Sequence, residues 1–278
     1  MINIFLINWY CIKDIEYLLE SLKISSYKDF RIIVVNNSKD ESMKLNIVIK
    51  SFSQIFEIHN ILSPNNKGYS GGNNLALSYI QKNKLDGDIL ISNSDILFNE
   101  LTIKNLVSKL AIKNIGAVSP RIYNSKMEHI LDTIKLNGFL QKYLKTELPI
   151  CNTDYVPGCC FIIRRELADR IGLFDENFFM YWEEVDLSFR ILDHGFKLVC
   201  STESSVIRKD NHDSSYINSI KYSVRNSFLL NRKHKIGLFR HILYLLMMLM
   251  LALKKSIKLN NIAPLKSFFI GFNEGRHY

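Results

Sequence analysis

Three carboxylates lie within four residues of the chain, at Glu183, Glu184 and Asp186, directly after the aromatic-rich stretch 178–182. Carboxyl groups that lie against aromatic surface, and against each other, tend to have raised pKa values because burial and like-charge repulsion both disfavour ionisation. Such a carboxylate is suited to take a proton from a hydroxyl group. The same cluster is explained equally well by the solvated start of a helix, where acidic side chains interact favourably with the positive end of the helix dipole. From spacing alone the two interpretations are balanced.

A second acidic candidate is the tripeptide Asn93-Ser94-Asp95, which follows the apolar run 88–92. A carboxylate at a strand end can hold a divalent cation, and the cation can then bind a diphosphate. A polar turn or a helix N-cap is the commoner origin of so short a pattern. His212 is a candidate further ligand only where a metal is expected, because an isolated histidine is more often structural.

The glycine-rich segment 67–74 is a candidate anion site, and its predicted form is a flexible loop that opens a helix over 74–82. Glycines let the backbone approach a ligand, and the N-terminus of a helix favours anions. The segment matches neither the dinucleotide-binding nor the P-loop glycine spacing, so a plain loop is an equal alternative. Arg225, on a predicted basic helix, is a candidate phosphate contact or a solvent-facing residue.

Hydrophobic periodicity predicts the elements that position these residues. Short apolar runs predict strands, and apolar residues on one helical face predict helices. The chain alternates the two, which is typical of an α/β fold with a mostly parallel central sheet flanked by helices. The predicted strands span residues 2–7, 31–35, 56–62, 88–92, 115–119 and 156–163, and the predicted helices span 14–22, 74–82, 99–112, 165–171, 181–192 and 216–235.

Polar side chains follow several of the predicted strands at the point where each strand ends. Asn8, the pair Asn36 and Asn37, and Asn93 with Asp95 each stand just past an apolar run. Ligands of open parallel sheets bind outside the carboxyl ends of the strands. The sequence therefore predicts one ligand site where these side chains meet.

Several segments occur in the order of a known set of motifs. They are IVVNNS at 33–38, NKGYSGGNN at 66–74, LISNSD at 90–95, GCCFIIRRE at 158–166 with GLFDE at 172–176, YWEEVDLSFR at 181–190, and the late His212 and Arg225-Asn226. Together they resemble family 2 glycosyltransferases of the GT-A (Rossmann-like) fold, especially the rhamnosyltransferase-like branch of bacterial surface polysaccharide synthesis. In that family Asp is usual at the places of Asn36 and Glu184, and Asn93 removes one carboxylate from the metal motif.

The resemblance implies an inverting glycosyltransferase that moves a sugar, with rhamnose the expectation for the branch, from a dTDP- or UDP-linked donor. The acceptor would be a hydroxyl of a lipid-linked or growing surface glycan, such as the O-antigen of lipopolysaccharide. Glu184 stands at the place of the general base, in a catalytic group with Glu183 and Asp186, and Asp95 and His212 stand at the places of ligands for Mg²⁺ or Mn²⁺. The residues implied in nucleotide-sugar binding are Asn8, Asn36, Asn37, Lys67, Gly68, Gly71, Asn73, Asn93, Ser94, Asp95, Gly158 and Arg225.

A competing hypothesis keeps the fold but excludes glycosyl transfer. The chain would then be a nucleotide-sugar-binding or nucleotidyltransferase-like protein. Glu184 beside a late histidine favours glycosyl transfer, since nucleotidyl transfer needs no such base.

The predicted organisation is a GT-A domain over 1–232, with a nucleotide-binding half at 1–120 and an acceptor and catalytic half at 121–232. A basic helical tail over 233–278 follows.

The formal net charge of +9 is concentrated at the end of the chain. Residues 208–278 hold 13 Lys or Arg against 3 Asp or Glu, whereas residues 1–207 hold 23 against 24. This distribution, without an RNA-recognition or zinc-finger pattern, argues against a nucleic-acid partner. The tail contains an apolar run of 12 residues at 242–253, flanked by basic residues and too short to span a bilayer. We therefore predict that the tail lies on an anionic membrane surface.

Cysteine usage and the N-terminal residues predict the compartment. Five cysteines, an odd number without a CxxC pattern, indicate free thiols in a reducing environment. The apolar run 2–7 lacks a basic flank and a cleavage site, and so predicts a strand instead of a signal peptide. The expected location is the cytoplasm, peripheral on the inner face of the cell membrane, with the oligomeric state left open.

Overall fold

The structure of the protein, a computed structural model, describes residues 1–209 and 216–278. His212, a candidate metal ligand, lies outside these residues. Strands and helices alternate through the first part of the chain, as β1 (Ile2–Asn8), α1 (Ile12–Leu22), β2 (Phe30–Asn36), α2 (Ser42–Phe52), β3 (Ile58–Leu62), α3 (Gly68–Lys82) and β4 (Asp88–Ser92).

The strands of this first part pair in parallel, in the order β3, β2, β1, β4. β1 and β2 are buried almost throughout, which explains their nearly unbroken apolar sequences. Their register places Asn8 beside Asn36, so the polar residues that end the two strands lie at one edge of the sheet. The predicted parallel sheet and its polar edge are both present.

The second part extends the sheet with strands of mixed direction. Strand β11 (Cys160–Ile163) runs antiparallel between β4 and β6 (Ile115–Asn124). β6 pairs in parallel with β12 (Lys197–Arg208), and β8 (Thr133–Asn137) and β9 (Leu140–Leu144) form a separate hairpin. The α/β fold is thus confirmed, and the complete sheet is mixed, with parallel pairs in the first part and between β6 and β12. The elements are β5 (Ile96–Phe98), α4 (Thr102–Leu110), β6 (Ile115–Asn124), β7 (His129–Leu131), β8 (Thr133–Asn137), β9 (Leu140–Leu144), β10 (Ile150–Asn152), β11 (Cys160–Ile163), α5 (Arg165–Ile171), α6 (Glu183–Asp193) and β12 (Lys197–Arg208).

The C-terminal helices α7 (Tyr216–His234), α8 (Leu238–Lys258) and α9 (Ala263–Gly275) pack against this sheet domain and against each other. On α8, the ring of Tyr244 lies 4.9 Å from that of Phe139 and 5.6 Å from that of Trp182, measured between centroids. The basic tail therefore shares its hydrophobic core with the preceding domain. Within residues 1–209 and 216–278, no helix combines the length and the apolar content that a membrane crossing requires.

The prediction of a flexible loop over 67–74 was wrong, because α3 already begins at Gly68. Tertiary contacts outweigh the low helix propensity of these residues. The N–H groups of Tyr69 and Ser70 donate to the carbonyl of Phe179 at 2.7 and 3.1 Å. The glycine at 72 lets the helix approach β1, since a Cβ there would lie 2.7 Å from Ile7 Cδ1.

Gly68 is the position where this packing is least tolerant of a side chain. Its φ is +68°, and a Cβ would lie 2.4 Å from the Phe179 carbonyl oxygen. We expect Gly68→Ala to lower the free energy of unfolding by about 3 kcal/mol, because strain and a backbone clash add. Gly195→Ala is the matched control, since Gly195 has φ +81° but nothing within 4 Å of its Cβ position. It should lose only about 1 to 2 kcal/mol, the cost of the left-handed conformation. Equal losses in urea denaturation would contradict the packing argument.

Candidate active site

The turn that carries the carboxylates is held by one buried amide. Phe179, Tyr181 and Trp182 have φ values of 59°, 69° and 72°, a region that bulky side chains rarely occupy. Asn226, fully buried on α7, donates through Nδ2 to three backbone carbonyls of this turn at 2.6, 2.8 and 2.9 Å, those of Phe178, Met180 and Tyr181. These bonds compensate the strain and fix where α6 begins. Asn226 therefore positions the acidic cluster.

Glu184 lies in the wall of a cavity of about 780 Å³. Burial raises the pKa of Glu184 to about 7, and its Oε2 is buried without a hydrogen-bond partner among the described residues. Gly158 faces it, with the glycine's ideal Cβ position 3.5 Å from the Cβ of Glu184. A carboxylate that is partly ionised near neutral pH and unpaired can accept a proton from a bound hydroxyl. The rest of the wall is largely aromatic and aliphatic, including Leu140, Tyr143, Tyr155, Trp182, Tyr244 and Met247.

Glu183 is more deeply buried than Glu184, at 5% exposure. Its pKa is raised well above the usual range, first by burial and then by the neighbouring charge of Glu184. Its Oε2 also has no hydrogen-bond partner within the described part of the chain. Burial therefore favours the protonated form of both glutamates, and Glu184, with a pKa of about 7, is the one suited to exchange a proton near neutral pH.

Asp186 has a different environment from the two glutamates. Two residues along a helix correspond to a rotation of about 200°, so Asp186 and Glu184 lie on opposite faces of α6. Burial by itself would raise the pKa of Asp186, but the hydrogen bond from His234 and the charges of Arg190 and Lys233 lower it to about 2. Its distances to these partners are 2.8, 2.9 and 2.7 Å. The structure thus gives Asp186 a role in joining α6 to α7.

Asp95 lies just past the end of β4, where the N–H of Asn93 donates to the Cys159 carbonyl at 2.8 Å. The Asp95 carboxylate is buried at 6% exposure and accepts a hydrogen bond from Arg208 Nε to Oδ2 at 3.2 Å. Its second oxygen, Oδ1, is buried without a partner among residues 1–209 and 216–278. Arg208, the partner of Asp95, also lines the cavity that holds Glu184, so this arginine connects the two candidate acidic centres.

The unpartnered Asp95 Oδ1 fits a divalent cation, which prefers carboxylate oxygen. Over the described residues, no three His, Cys, Asp or Glu side chains form a group that could hold a metal. The described donor set is therefore Asp95 with the neutral residues Asn93 and Ser94, and His212 lies outside the described residues.

The asparagines at the strand ends are hydrogen-bonded to one another. Asn8 Nδ2 donates to Asn36 Oδ1 at 2.9 Å, and Asn36 Nδ2 donates to Ser42 Oγ at 2.9 Å. Asn37 Nδ2 donates to the carbonyl of Gly68 at 3.2 Å, and Asn37 Oδ1 is buried without a partner in the described chain. The structure therefore brings Asn8 and Asn36 into contact at the ends of β1 and β2. Asn8 and Asn36, each fully buried, shape the edge with their own amides engaged.

The candidates on α3 are committed mainly to packing. Lys67 precedes the helix, and a Cβ on Gly71 would lie 2.7 Å from Lys67 Cβ. Asn73 is fully buried and donates from Nδ2 to the carbonyl of Tyr69 at 2.9 Å. Since Phe179 already accepts the first free N–H groups of α3, the predicted phosphate cradle is occupied by the protein's own backbone.

The contacts of Arg225 are with residues outside the two acidic centres. Its guanidinium donates to the carbonyl of Asn177 at 2.8 Å and to the hydroxyl of Tyr278, and it stacks on the Tyr278 ring at 5.0 Å from the centroid. Glu274 on α9 is 3.8 Å away. Arg225 thus secures the C-terminal helix in this structure.

Three residues near the site were not predicted from the sequence. Trp9 and Tyr10 directly follow β1 and are exposed at 48% and 58%, with their rings in an edge contact at 4.9 Å. An aromatic pair just past a strand end was the available signal. Arg208 had no such signal, because only the sheet pairing of β12 with β5 places it beside Asp95.

Comparison with solved structures identifies the fold. The structure is similar to that of the mannosyltransferase PcManGT from Pyrobaculum calidifontis in complex with GDP-Man and Mn²⁺. The TM-score is 0.63 at 15% sequence identity, with coverage of 99% of this chain and 75% of the other. The fold is therefore the GT-A fold of glycosyltransferases.

Sequence comparison identifies the family. Residues 4–172 match the model of glycosyl transferase family 2, and the chain belongs to this family. It is therefore a glycosyltransferase, as the sequence motifs predict. It is 27% identical over 240 residues to the low-salt glycan biosynthesis hexosyltransferase Agl10 of Haloferax volcanii, covering 82% of this chain and 74% of that protein. It is 22% identical over 236 residues to the rhamnosyltransferase WbbL of Escherichia coli, covering 77% and 86% respectively.

The environment of Glu183 predicts a stability effect that depends on pH. Because the folded state raises the pKa of this carboxyl, folding retains its proton while the unfolded chain releases it above about pH 4.3. The contribution of Glu183 to the free energy of unfolding should therefore fall as the pH rises above about 4.3. We expect the change in Tm from pH 5 to pH 8 to be more negative in the wild type than in Glu183→Gln. The exposed Glu16→Gln on α1 is the control and should retain the wild-type slope. Identical slopes in all three proteins would refute the assignment.

Proposed function

We propose that the protein is an inverting hexosyltransferase that moves a sugar from a nucleoside-diphosphate donor to a hydroxyl of a lipid-linked or growing surface glycan. Rhamnose from a dTDP-linked donor is the first candidate, with a UDP-linked donor the second. The names of the two relatives, a rhamnosyltransferase and a glycan biosynthesis hexosyltransferase, support this choice of sugar and product. O-antigen or a comparable surface polysaccharide is the corresponding product.

The observation that carries the proposal is the environment of Glu184. A carboxyl group with a pKa of about 7 lines a cavity large enough for a sugar acceptor, and the aromatic walls offer flat apolar surfaces to a sugar ring. Arg208, the hydrogen-bond partner of Asp95, lines the same cavity. A candidate base and a candidate diphosphate contact beside one cavity support the proposal, because group transfer requires the two substrates to lie close together.

In the proposed reaction Glu184 accepts the proton of the acceptor hydroxyl as that oxygen attacks the anomeric carbon. The new carbon–oxygen bond forms as the bond to the donor diphosphate breaks, and the nucleoside diphosphate departs with the electron pair. A single displacement of this kind inverts the anomeric configuration. Asp95 would hold Mg²⁺ or Mn²⁺, which when bound supplies positive charge to the departing diphosphate.

Replacing Glu184 tests both the base and the class of reaction. Release of nucleoside diphosphate should be measured with dTDP-rhamnose and several UDP- and GDP-sugars, in the presence of a polyprenyl-diphosphate-linked acceptor. We expect Glu184→Gln to lower kcat/KM about 100-fold or more, because general-base catalysis contributes at least that much. Glu184→Asp should retain part of the activity, since it keeps the carboxylate.

The pH profile provides an independent readout of the same residue. Wild-type kcat/KM should fall below about pH 7, where the Glu184 carboxylate becomes protonated, and should level off above it. The control is Glu16→Gln, which keeps the wild-type profile. Full activity of the Gln variant would exclude the base, and absence of release with every donor would favour a binding protein of the same fold.

We further propose that α8 and α9 attach the enzyme to an anionic membrane surface. The outer face of α8 is apolar, with Leu246 at 53% and Met250 at 70% exposure, and its last turns carry Lys254, Lys255 and Lys258. Apolar side chains beside basic ones suit an interfacial helix on anionic lipid. Met247 lines the Glu184 cavity from the same helix, so a lipid-linked acceptor would reach the base from the membrane side.

Point substitutions test membrane attachment better than truncation, because Tyr244 and Met248 of α8 are part of the core. We expect the double variant Leu246→Glu, Met250→Glu to lose flotation with phosphatidylglycerol vesicles, since it places two charges on the apolar face. Met43→Glu is the control, as Met43 is 78% exposed on α2. It should float like the wild type, and phosphatidylcholine vesicles should bind all three proteins weakly. Unchanged flotation of the double variant would exclude this face.

A further inference from the structure

The Asp95 centre already contains a fixed positive charge, supplied by Arg208. The Nε atom of Arg208 donates to Asp95 Oδ2 at 3.2 Å, at the point where β12 ends beside β5. The side chain of Asp95 is 8% exposed and that of Arg208 is 43% exposed. The ion pair therefore has a buried carboxylate at its base and a guanidinium that reaches the cavity.

Arg208 has N–H donors that its hydrogen bond to Asp95 does not use. A guanidinium has five N–H donors in a planar fork, and Asp95 engages the Nε donor. Asn93 and Ser94, next to Asp95, are neutral and bring no further carboxylate to the centre. The adjacent cation, Lys209, is directed elsewhere, with its Nζ 2.7 Å from Asp14 and 4.0 Å from the ring centroid of Tyr17.

We propose that Arg208 is a diphosphate-binding residue that supplies the donor site with positive charge independently of a metal ion. The assignment rests on the proposed function, because it takes the donor to be a nucleoside diphosphate sugar. Asp95 engages the guanidinium through Nε, and Arg208 lines the cavity that also holds Glu184. A planar fork with parallel N–H groups matches two phosphate oxygens, which a lysine ammonium does not.

This arrangement has a consequence for the role of a metal. Arg208 compensates the charge of Asp95 without a cation, and no three His, Cys, Asp or Glu side chains of the described residues form a group that could hold a metal. A diphosphate can then bind without the repulsion that an unpaired Asp95 would exert. Nucleotide binding should therefore persist when divalent ions are removed, and Arg208 should matter most under that condition.

Titration calorimetry with UDP, dTDP and GDP, in EDTA and in Mn²⁺, tests the assignment without relying on turnover. Wild-type protein should bind one of these nucleotides in EDTA. Arg208→Gln should weaken that binding about tenfold or more, the loss of charged hydrogen bonds, and Mn²⁺ should restore part of it. Arg208→Lys, which keeps the charge but not the fork, should have an intermediate affinity.

Arg170→Gln is the matched control, since Arg170 is an exposed arginine that stacks on Phe196 5.7 Å from the ring centroid. It should bind nucleotide like the wild type. Thermal unfolding of each variant separates loss of folding from loss of binding, and the Lys variant provides the test if the Gln variant unfolds. Unchanged affinity of both Arg208 variants in EDTA would overturn the assignment of Arg208 but not the proposed class of donor. Failure of the wild type to bind any nucleotide in either buffer would overturn the donor class as well.

Discussion

The carbonyl of Phe179 is the contact on which the candidate site depends. It accepts hydrogen bonds from the N–H groups of Tyr69 and Ser70, and thereby joins the start of α3, in the parallel part of the sheet, to the turn that precedes α6. The approach is possible because residue 68 is a glycine with positive φ. Asn226 fixes the other side of the same turn from α7. Three distant segments of the chain therefore meet at one strained turn, and the position of Glu184 follows from it.

The acidic cluster after this turn separates into structural and chemical carboxylates by environment. Asp186 is compensated by Arg190, Lys233 and His234, and its low pKa indicates a permanent charge in an interhelical network. No cation of the described residues forms an ion pair with Glu183 or Glu184, backbone hydrogen bonds offset their burial only in part, and the pKa of both is raised. Uncompensated burial costs stability, a cost that is commonly found where a group must exchange protons. The same four-residue segment thus holds α6 in place and presents the proposed base.

The sequence motifs led to the family, and the family model and the fold agree with them. The roles of individual residues within the motifs were harder to predict from the sequence. The glycine-rich segment has the composition of a flexible loop, yet its glycines serve close packing against Phe179 and Ile7. Arg225 has the charge for a phosphate contact, yet its partners are Asn177, Glu274 and Tyr278. Composition reports what a residue could bind, whereas its partners depend on chain segments that are remote in sequence.

By itself the sequence determined the alternation of strands and helices, the polar edge at Asn8 and Asn36, and the acidic segments, because local periodicity and residue chemistry are written along the chain. The basic, apolar C-terminal segment was equally evident from composition. Only the tertiary structure decided that α8 forms part of the cavity wall, that Asp186 faces away from Glu184, and that Arg208 neutralises Asp95. The reason is physical: pKa values and ion pairs depend on burial and on distances between residues far apart in sequence, such as the 113 positions that separate Asp95 from Arg208.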